Sequence, residues 1–231
     1  MSDYTSHYKN LDKTVFPSEW IVRSFLGKYK NYTSPSRNNK GSELKREVYK
    51  GKKILDIGYG DGRNLSFFNA LSMDVYGGEP FEQVVSHSSK LFPWANLSIG
   101  QNCNLPYSEL FFDYVIASHS IYYLNKDQNL FDSLNEVYRV LKTKGNLFFT
   151  VPTSKNHTLK GAKKFAQSNQ WILEDAFYKV RKGQIIETVE SETNLITLLS
   201  KLGFDNISIA KWHVDWWGTL EDSFLVHCEK K

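Results

Sequence analysis

The sequence predicts an α/β fold, a doubly wound and mostly parallel sheet with helices on both faces. Three observations predict it. Between residues 53 and 152, short apolar runs alternate with stretches whose apolar residues recur at helical spacing, the pattern of strands joined by crossover helices. The first run ends in a glycine-rich turn, where such sheets pass from strand to helix. Residues 204–229 instead read strand, turn, strand, which suits an antiparallel hairpin closing one edge of the sheet.

The elements follow in order. A helix begins near Ser18, an N-cap residue after Pro17. Residues 31–52 are polar and loop-prone, broken by Pro35 and Gly41. KILDIG at 53–58 is a buried parallel strand running into glycine. GRNLSFFNAL at 62–71 is the first core helix, MDVYGGE at 73–79 the second strand and 81–92 the second helix. Residues 96–100 and 112–118 give the third and fourth strands. The most regular helix spans 127–141, with Leu130, Leu134, Val137, Tyr138 and Leu141 on one stripe. GNLFFTVP at 145–152 is the fifth strand. Residues 153–191 form a 39-residue insertion, and a connection of that length is usually functional. A helix at 192–202 stops at Gly203, and the two hairpin strands lie within 204–212 and 222–229. The whole chain of 231 residues is expected to be one domain: a helical cap and loop over 1–50, a ligand-binding core over 51–152, a lid over 153–191, and the helix and hairpin over 192–231.

Composition narrows the class. Apolar residues make up 41% and charged residues 23%, as in an ordinary globular chain. The longest apolar runs, such as LFFTV at 147–151, fall far short of the ~20 residues of a membrane-spanning helix. The polar opening MSDYTSHYKN shows no apolar stretch of a secretory signal. The two cysteines, Cys103 and Cys228, are far apart and make no metal-binding spacing, so a disulfide scaffold and a zinc finger are excluded and a reducing cytoplasm is expected. The net charge of +4 rests mostly on lysine, with only six Arg. Dedicated nucleic-acid binders concentrate more basic charge than this, so nucleic acid is demoted as a partner.

The chemistry concentrates in LDIGYGDGRN at 55–64, where Asp56, Gly58, Gly60 and Gly62 alternate at the strand-to-helix turn. Glycines there let a ligand approach the backbone. Glu79 lies at the end of the second strand, and its two acceptor oxygens match a ribose diol. A dinucleotide fingerprint would require glycine where Arg63 stands, and Asp56 would face a pyrophosphate. That spacing disfavours an NAD-dependent oxidoreductase.

With these segments in register, residues from about 53 to 152, and onward toward 229, resemble a class I S-adenosylmethionine-dependent methyltransferase of the small-molecule type. LDIGYGDGRN is similar to that family's D-x-G-x-G-x-G, GGEP at 77–80 to its acidic motif, FDYVIASHSIYYL at 112–124 to its fourth-strand segment, and LNEVYRVLKTKGNLFFTVP at 134–152 to its helix and fifth strand. The resemblance implies a seven-stranded, Rossmann-like sheet with an antiparallel last strand. It implies that S-adenosyl-L-methionine is the cofactor, leaving as S-adenosyl-L-homocysteine. Gly58 and Gly60 would pass close to its amino-acid end, with Asp56 setting the turn or binding the amino group; Tyr59 stands where Cys is common. Glu79, followed by Pro80, would hold the ribose. Gln101 and Asn102 fall where the family often carries an Asp on the adenine, and Ser118 and His119 where it contacts methionine and substrate. Arg23 on the N-terminal helix would reach the cofactor carboxylate, with Tyr4, Tyr8 and Trp20 capping the site, or the helix would simply cover the sheet.

His119 is the one histidine inside a motif and the candidate general base, or else a packing residue. Tyr122 and Tyr123 follow it toward the same cavity. The lid carries Phe165, Trp171, Phe177 and Tyr178 among cations that include Lys179 and Arg181. Aromatics and cations together point to methylation of a small-molecule acceptor, a sugar or glycan precursor by O-methylation. The alternatives are a tRNA, rRNA or other nucleic-acid methyltransferase, which lacks its Asn/Asp-Pro-Pro-Tyr/Phe motif where SHSIYY stands at 118–123, and a non-catalytic partner subunit of the same fold. The sequence leaves the oligomeric state open.

Overall fold

A computed structural model describes residues 16–27, 46–165, 168–174 and 181–231. Tyr4, Tyr8, Phe177, Tyr178 and Lys179 lie outside the described residues. The central sheet has seven strands: β1 (Lys53–Ile57), β2 (Asp74–Glu79), β3 (Asn96–Ile99), β4 (Phe112–Ala117), β6 (Leu141–Pro152), β10 (Phe204–Trp216) and β11 (Thr219–Lys230). They are ordered β10-β11-β6-β4-β1-β2-β3. β1, β2, β3, β4 and β6 pair in parallel, while β11 runs antiparallel between β6 and β10. The doubly wound sheet and its C-terminal hairpin are as the sequence predicts.

Burial explains the parallel strands. Ile54, Leu55, Val115 and Ile116 are fully buried because both faces of the sheet are covered. On one face lie α4 (Leu130–Val140) and α5 (Glu192–Leu202), which bury Leu134, Val137, Leu195 and Leu199 against Val115, Leu147 and Phe149. On the other lie α1 (Glu19–Phe25), α2 (Arg63–Ala70) and α3 (Glu82–Leu91), packed on Ile54, Tyr114, Ile116 and Phe148. Phe25 seats α1 there, its ring centroid 5.1 to 5.6 Å from those of Tyr49, Phe68, Tyr114 and Phe148. The Tyr49 hydroxyl donates to the Phe25 carbonyl at 2.7 Å. α4 begins at Leu130, later than the periodicity suggests, because Asn129 and Asp132 form a reciprocal capping box.

Two elements differ from the sequence reading. The 153–191 insertion is not a plain loop: β7 (Ala162–Lys164), β8 (Gln170–Leu173) and β9 (Ile185–Glu187) join β5 (Tyr123–Leu124) in a second, antiparallel sheet ordered β5-β9-β8-β7. Leu124, Leu173 and Ile186 are the buried members of these short strands. Glu187 fastens the sheet to the core by accepting from Leu130 N–H at 3.1 Å and Gln170 Nε2 at 3.0 Å. The C-terminal hairpin is also longer than its apolar runs, since Trp217 and Gly218 both take positive φ and make a two-residue turn. Among the described residues no helix is long and apolar enough to cross a membrane.

Candidate active site

The order of the sheet reverses between β1 and β4, so their carboxyl ends diverge and leave a crevice, the usual ligand site of such folds. The turn after β1 forms one wall. Gly58 lies at φ +66°, and a Cβ there would sit 2.5 Å from Cβ of Ser120 in the turn after β4. Gly62, at φ +76°, starts α2, and a Cβ on it would meet the Phe92 ring at 2.4 Å. Only glycine satisfies both the backbone and the neighbour at these two positions. Ser120 ties the turns together by donating to the Ile57 carbonyl at 2.5 Å.

Two carboxylates sit beneath this turn, each about 97–99% covered. Burial dominates both. It drives the Asp56 carboxyl up to about 8, against the Asn64 side-chain amide 3.4 Å away. It drives Glu79 up to about 7, although Glu79 Oε1 accepts from Gly60 N–H at 2.7 Å. Carboxyls raised this far by burial mark the turn as a candidate ligand site.

The crevice opens as a cavity of about 260 Å³ lined by Gly58, Glu79, Pro80, Phe81, Gln101, Asn102, His119, Ser120, Tyr123, Leu124, Asn125, Gln128, Arg181 and Gln184. Asn102 braces its floor, its side-chain amide donating to the carbonyls of Ser120 and Tyr123 at 2.9 Å each. Gln101 Oε1 accepts from Asn125 Nδ2 at 2.8 Å. Arg181, from the second sheet's β8–β9 connection, lies 4.2 Å over the Tyr123 ring. His119 takes φ +56°, a conformation uncommon outside glycine, held by its N–H donating to Thr150 Oγ1 at 2.8 Å. Desolvation lowers the pKa of its imidazole from the ordinary value, opposed by Glu221 and reinforced by Arg181, Arg63 and His157. Burial thus favours the neutral ring.

Residues 24–209 match the model of a methyltransferase domain, about four-fifths of the chain. The chain belongs to the class I S-adenosylmethionine-dependent methyltransferases. Solved structures agree on the fold. A methyltransferase of Methanosarcina mazei aligns at 16% identity and TM-score 0.62, over 80% of this chain and 95% of its own. A protein of Pyrococcus horikoshii aligns at 19% and 0.61, over 98% and 99%. The 1,6-didemethyltoxoflavin-N1-methyltransferase of Burkholderia thailandensis, solved with its acceptor and S-adenosylhomocysteine, aligns at 14% and 0.55, over 80% and 73%. No curated protein matches the chain.

The cradle of this methyltransferase fits that cofactor. The buried carboxyls of Asp56 and Glu79 are of the acceptor type that an ammonium and a ribose diol require, and the glycine turn keeps side chains out of the approach. Of the residues singled out from sequence, Gly58, Glu79, Pro80, Gln101, Asn102, His119, Tyr123 and Arg181 line the cavity; Asp56 lies buried two residues before Gly58, and Gly60 N–H holds Glu79. Four assignments need correction. Arg23 is bound within its own helix, Nε to Glu19 Oε1 at 2.7 Å on the exposed face, and does not line the cavity. The Tyr59 ring points away from the cavity into the core on the α1–α2–α3 face, where a Cβ on Gly77 would touch it at 2.5 Å. Ser118 is displaced by its neighbour, since Ser120 is the serine that faces the cavity and bonds β1. Trp20 is buried under the sheet with α1 rather than capping the site. Phe81, Asn125, Gln128 and Gln184 escaped the sequence reading because no local motif carries them; Glu79-Pro80 at a strand end was the one signal pointing to Phe81.

Proposed function

We propose that this methyltransferase modifies a hydroxyl of a small molecule, a sugar or glycan precursor, with His119 as the proton acceptor. The observation that carries the reading is the His119 imidazole on the cavity wall beside the carboxylate–glycine cradle, its backbone N–H held by Thr150 and its pKa lowered by burial. A hydroxyl is a poor nucleophile until its proton is drawn off, and a histidine whose neutral form is favoured suits that task. The amides of Gln101, Asn102, Asn125, Gln128 and Gln184 match hydroxyl-rich ligands, while Phe81 and Tyr123 offer ring faces. A small acceptor also suits the Burkholderia relative, solved with a small molecule beside S-adenosylhomocysteine.

S-adenosylmethionine brings the electrophilic methyl group. The chain supplies the rest: Asp56, Glu79 and the Gly58 turn bind and orient the cofactor, the second sheet and Arg181 wall off the acceptor side, and His119 takes the hydroxyl proton. Two free cysteines, Cys103 and Cys228, fit a cytoplasmic location. A methyl-transfer screen over nucleotide sugars, small phenols, amines and tRNA tests the reading. Transfer to a sugar hydroxyl, lost by roughly 10²–10⁴ in His119→Ala, supports it. Transfer to tRNA or amines alone refutes it.

A further inference from the structure

We propose that Glu221 is the positioning residue for His119: its carboxylate faces the imidazole Nδ1–H, which leaves Nε2 as the nitrogen that takes the acceptor's proton. The inference rests on the reading of His119 as the proton acceptor. β11 outruns its neighbour, for its pairing with β6 ends at Ser223 opposite Pro152. Glu221, two residues further along the hairpin, therefore projects over the turn that carries His119. Its Oε1 stands 3.9 Å from His119 Nδ1, too far for a direct hydrogen bond but close enough for an ion pair once the ring is protonated.

The carboxylate is held from behind. Oε1 accepts from Asn156 Nδ2 at 3.1 Å and from Ser223 Oγ at 3.0 Å, and its side chain is only 16% exposed. Asn156 is itself buried and fixed, its Oδ1 capping Thr158 N–H at 3.0 Å. The second imidazole near Glu221, that of His157, has its Nδ1 at 3.6 Å from Glu221 but only 3.0 Å from the Leu220 carbonyl, which takes its proton. Trp212 meets the His119 ring edge-on, the ring centroids 6.0 Å apart.

The charged groups facing His119 come from four directions: Arg63 at the start of α2, Arg181 from the β8–β9 connection, His157 after β6 and Glu221 on β11. The first three oppose protonation and Glu221 alone favours it. When the acceptor O–H bond breaks and its proton moves to Nε2, the imidazolium gains a carboxylate at its back. The proton then leaves to water.

Nitrogen-15 NMR of the imidazoles, in the free protein and with S-adenosylhomocysteine, tests this without any acceptor. The wild type should show neutral His119 as the Nδ1–H tautomer. Glu221→Gln should lower the His119 pKa by about one unit or more, the effect of removing an opposite charge at this range, and mix the tautomers, while His227 titrates unchanged. An unchanged His119 pKa and tautomer in folded Glu221→Gln overturns the proposal. Should that variant not fold, the wild type decides alone, because an Nε2–H tautomer overturns it equally. Loss of the proton-acceptor reading would show differently, as full methyl transfer by His119→Ala with the NMR result intact.

Discussion

Cofactor affinity should climb steeply between pH 6 and pH 8. The cause lies in the two buried carboxyls, Glu79 raised to about 7 and Asp56 to about 8 in the free protein. A ligand that donates a diol to Glu79 and an ammonium to Asp56 binds the ionised forms, so binding must expel whatever protons they hold. Glu79 alone is about 9% ionised at pH 6 and about 91% at pH 8, roughly a tenfold gain in affinity from a pKa near 7. Asp56 goes from about 1% to about 50%, roughly a further fiftyfold, so the pair sets an upper limit of about 500-fold. The stability of the free protein moves the other way. A carboxyl whose folded pKa is raised stabilises below its unfolded pKa, and that contribution is lost as pH rises from about 4 to 7 for Glu79 and 8 for Asp56. Calorimetric titration with S-adenosylhomocysteine at pH 6, 7 and 8, in two buffers of different ionisation enthalpy, reads both affinity and protons released. Glu79→Ala should keep the fold, lose about 1.5–3 kcal/mol of affinity and release fewer protons. A pH-independent Kd with no proton release would refute the reasoning.

Further outcomes follow from packing. Gly62→Ala places a methyl 2.4 Å from the Phe92 ring on a backbone at φ +76°, so it should cost about 2 kcal/mol or more and lower Tm by roughly 4–8 °C; an unchanged melt would mean the turn relaxes freely. Phe25→Ala empties the centre of an aromatic cluster that includes Tyr49, Phe68, Tyr114 and Phe148, and should destabilise by about 3–5 kcal/mol in chemical denaturation. Arg23→Ala breaks only an exposed pair with Glu19, so S-adenosylhomocysteine affinity should stay within about twofold. A large loss would return Arg23 to the site.

The cradle was legible in the sequence because its parts are local. Asp56, Gly58 and Glu79 sit at strand ends within a single β–α–β run, where periodicity and glycine spacing point directly to them. The acceptor side was not. Ser120 and Ser118 are equivalent by pattern, and only the bond to Ile57 separates them. Arg181 and Gln184 reach the cavity through a small sheet whose strands run two to four residues, too short for alternation to mark. Glu221 meets His119 from a hairpin about a hundred residues away, through pairing with β6 that no local pattern encodes. Tyr59 misleads because its backbone belongs to the glycine turn while its ring serves the opposite face.

Binding of S-adenosylhomocysteine against NAD, read by thermal shift, tests the cofactor assignment most directly. A ligand that binds only the folded state adds about 2.7 kcal/mol at a hundredfold excess over Kd, and for a chain of this size each kcal/mol raises Tm by roughly 2–4 °C. S-adenosylhomocysteine should therefore raise Tm by roughly 5–10 °C, while NAD, which would set a pyrophosphate against Asp56 with Arg63 in place of the third fingerprint glycine, should leave the melt unchanged. Stabilisation by NAD and none by S-adenosylhomocysteine would contradict the account.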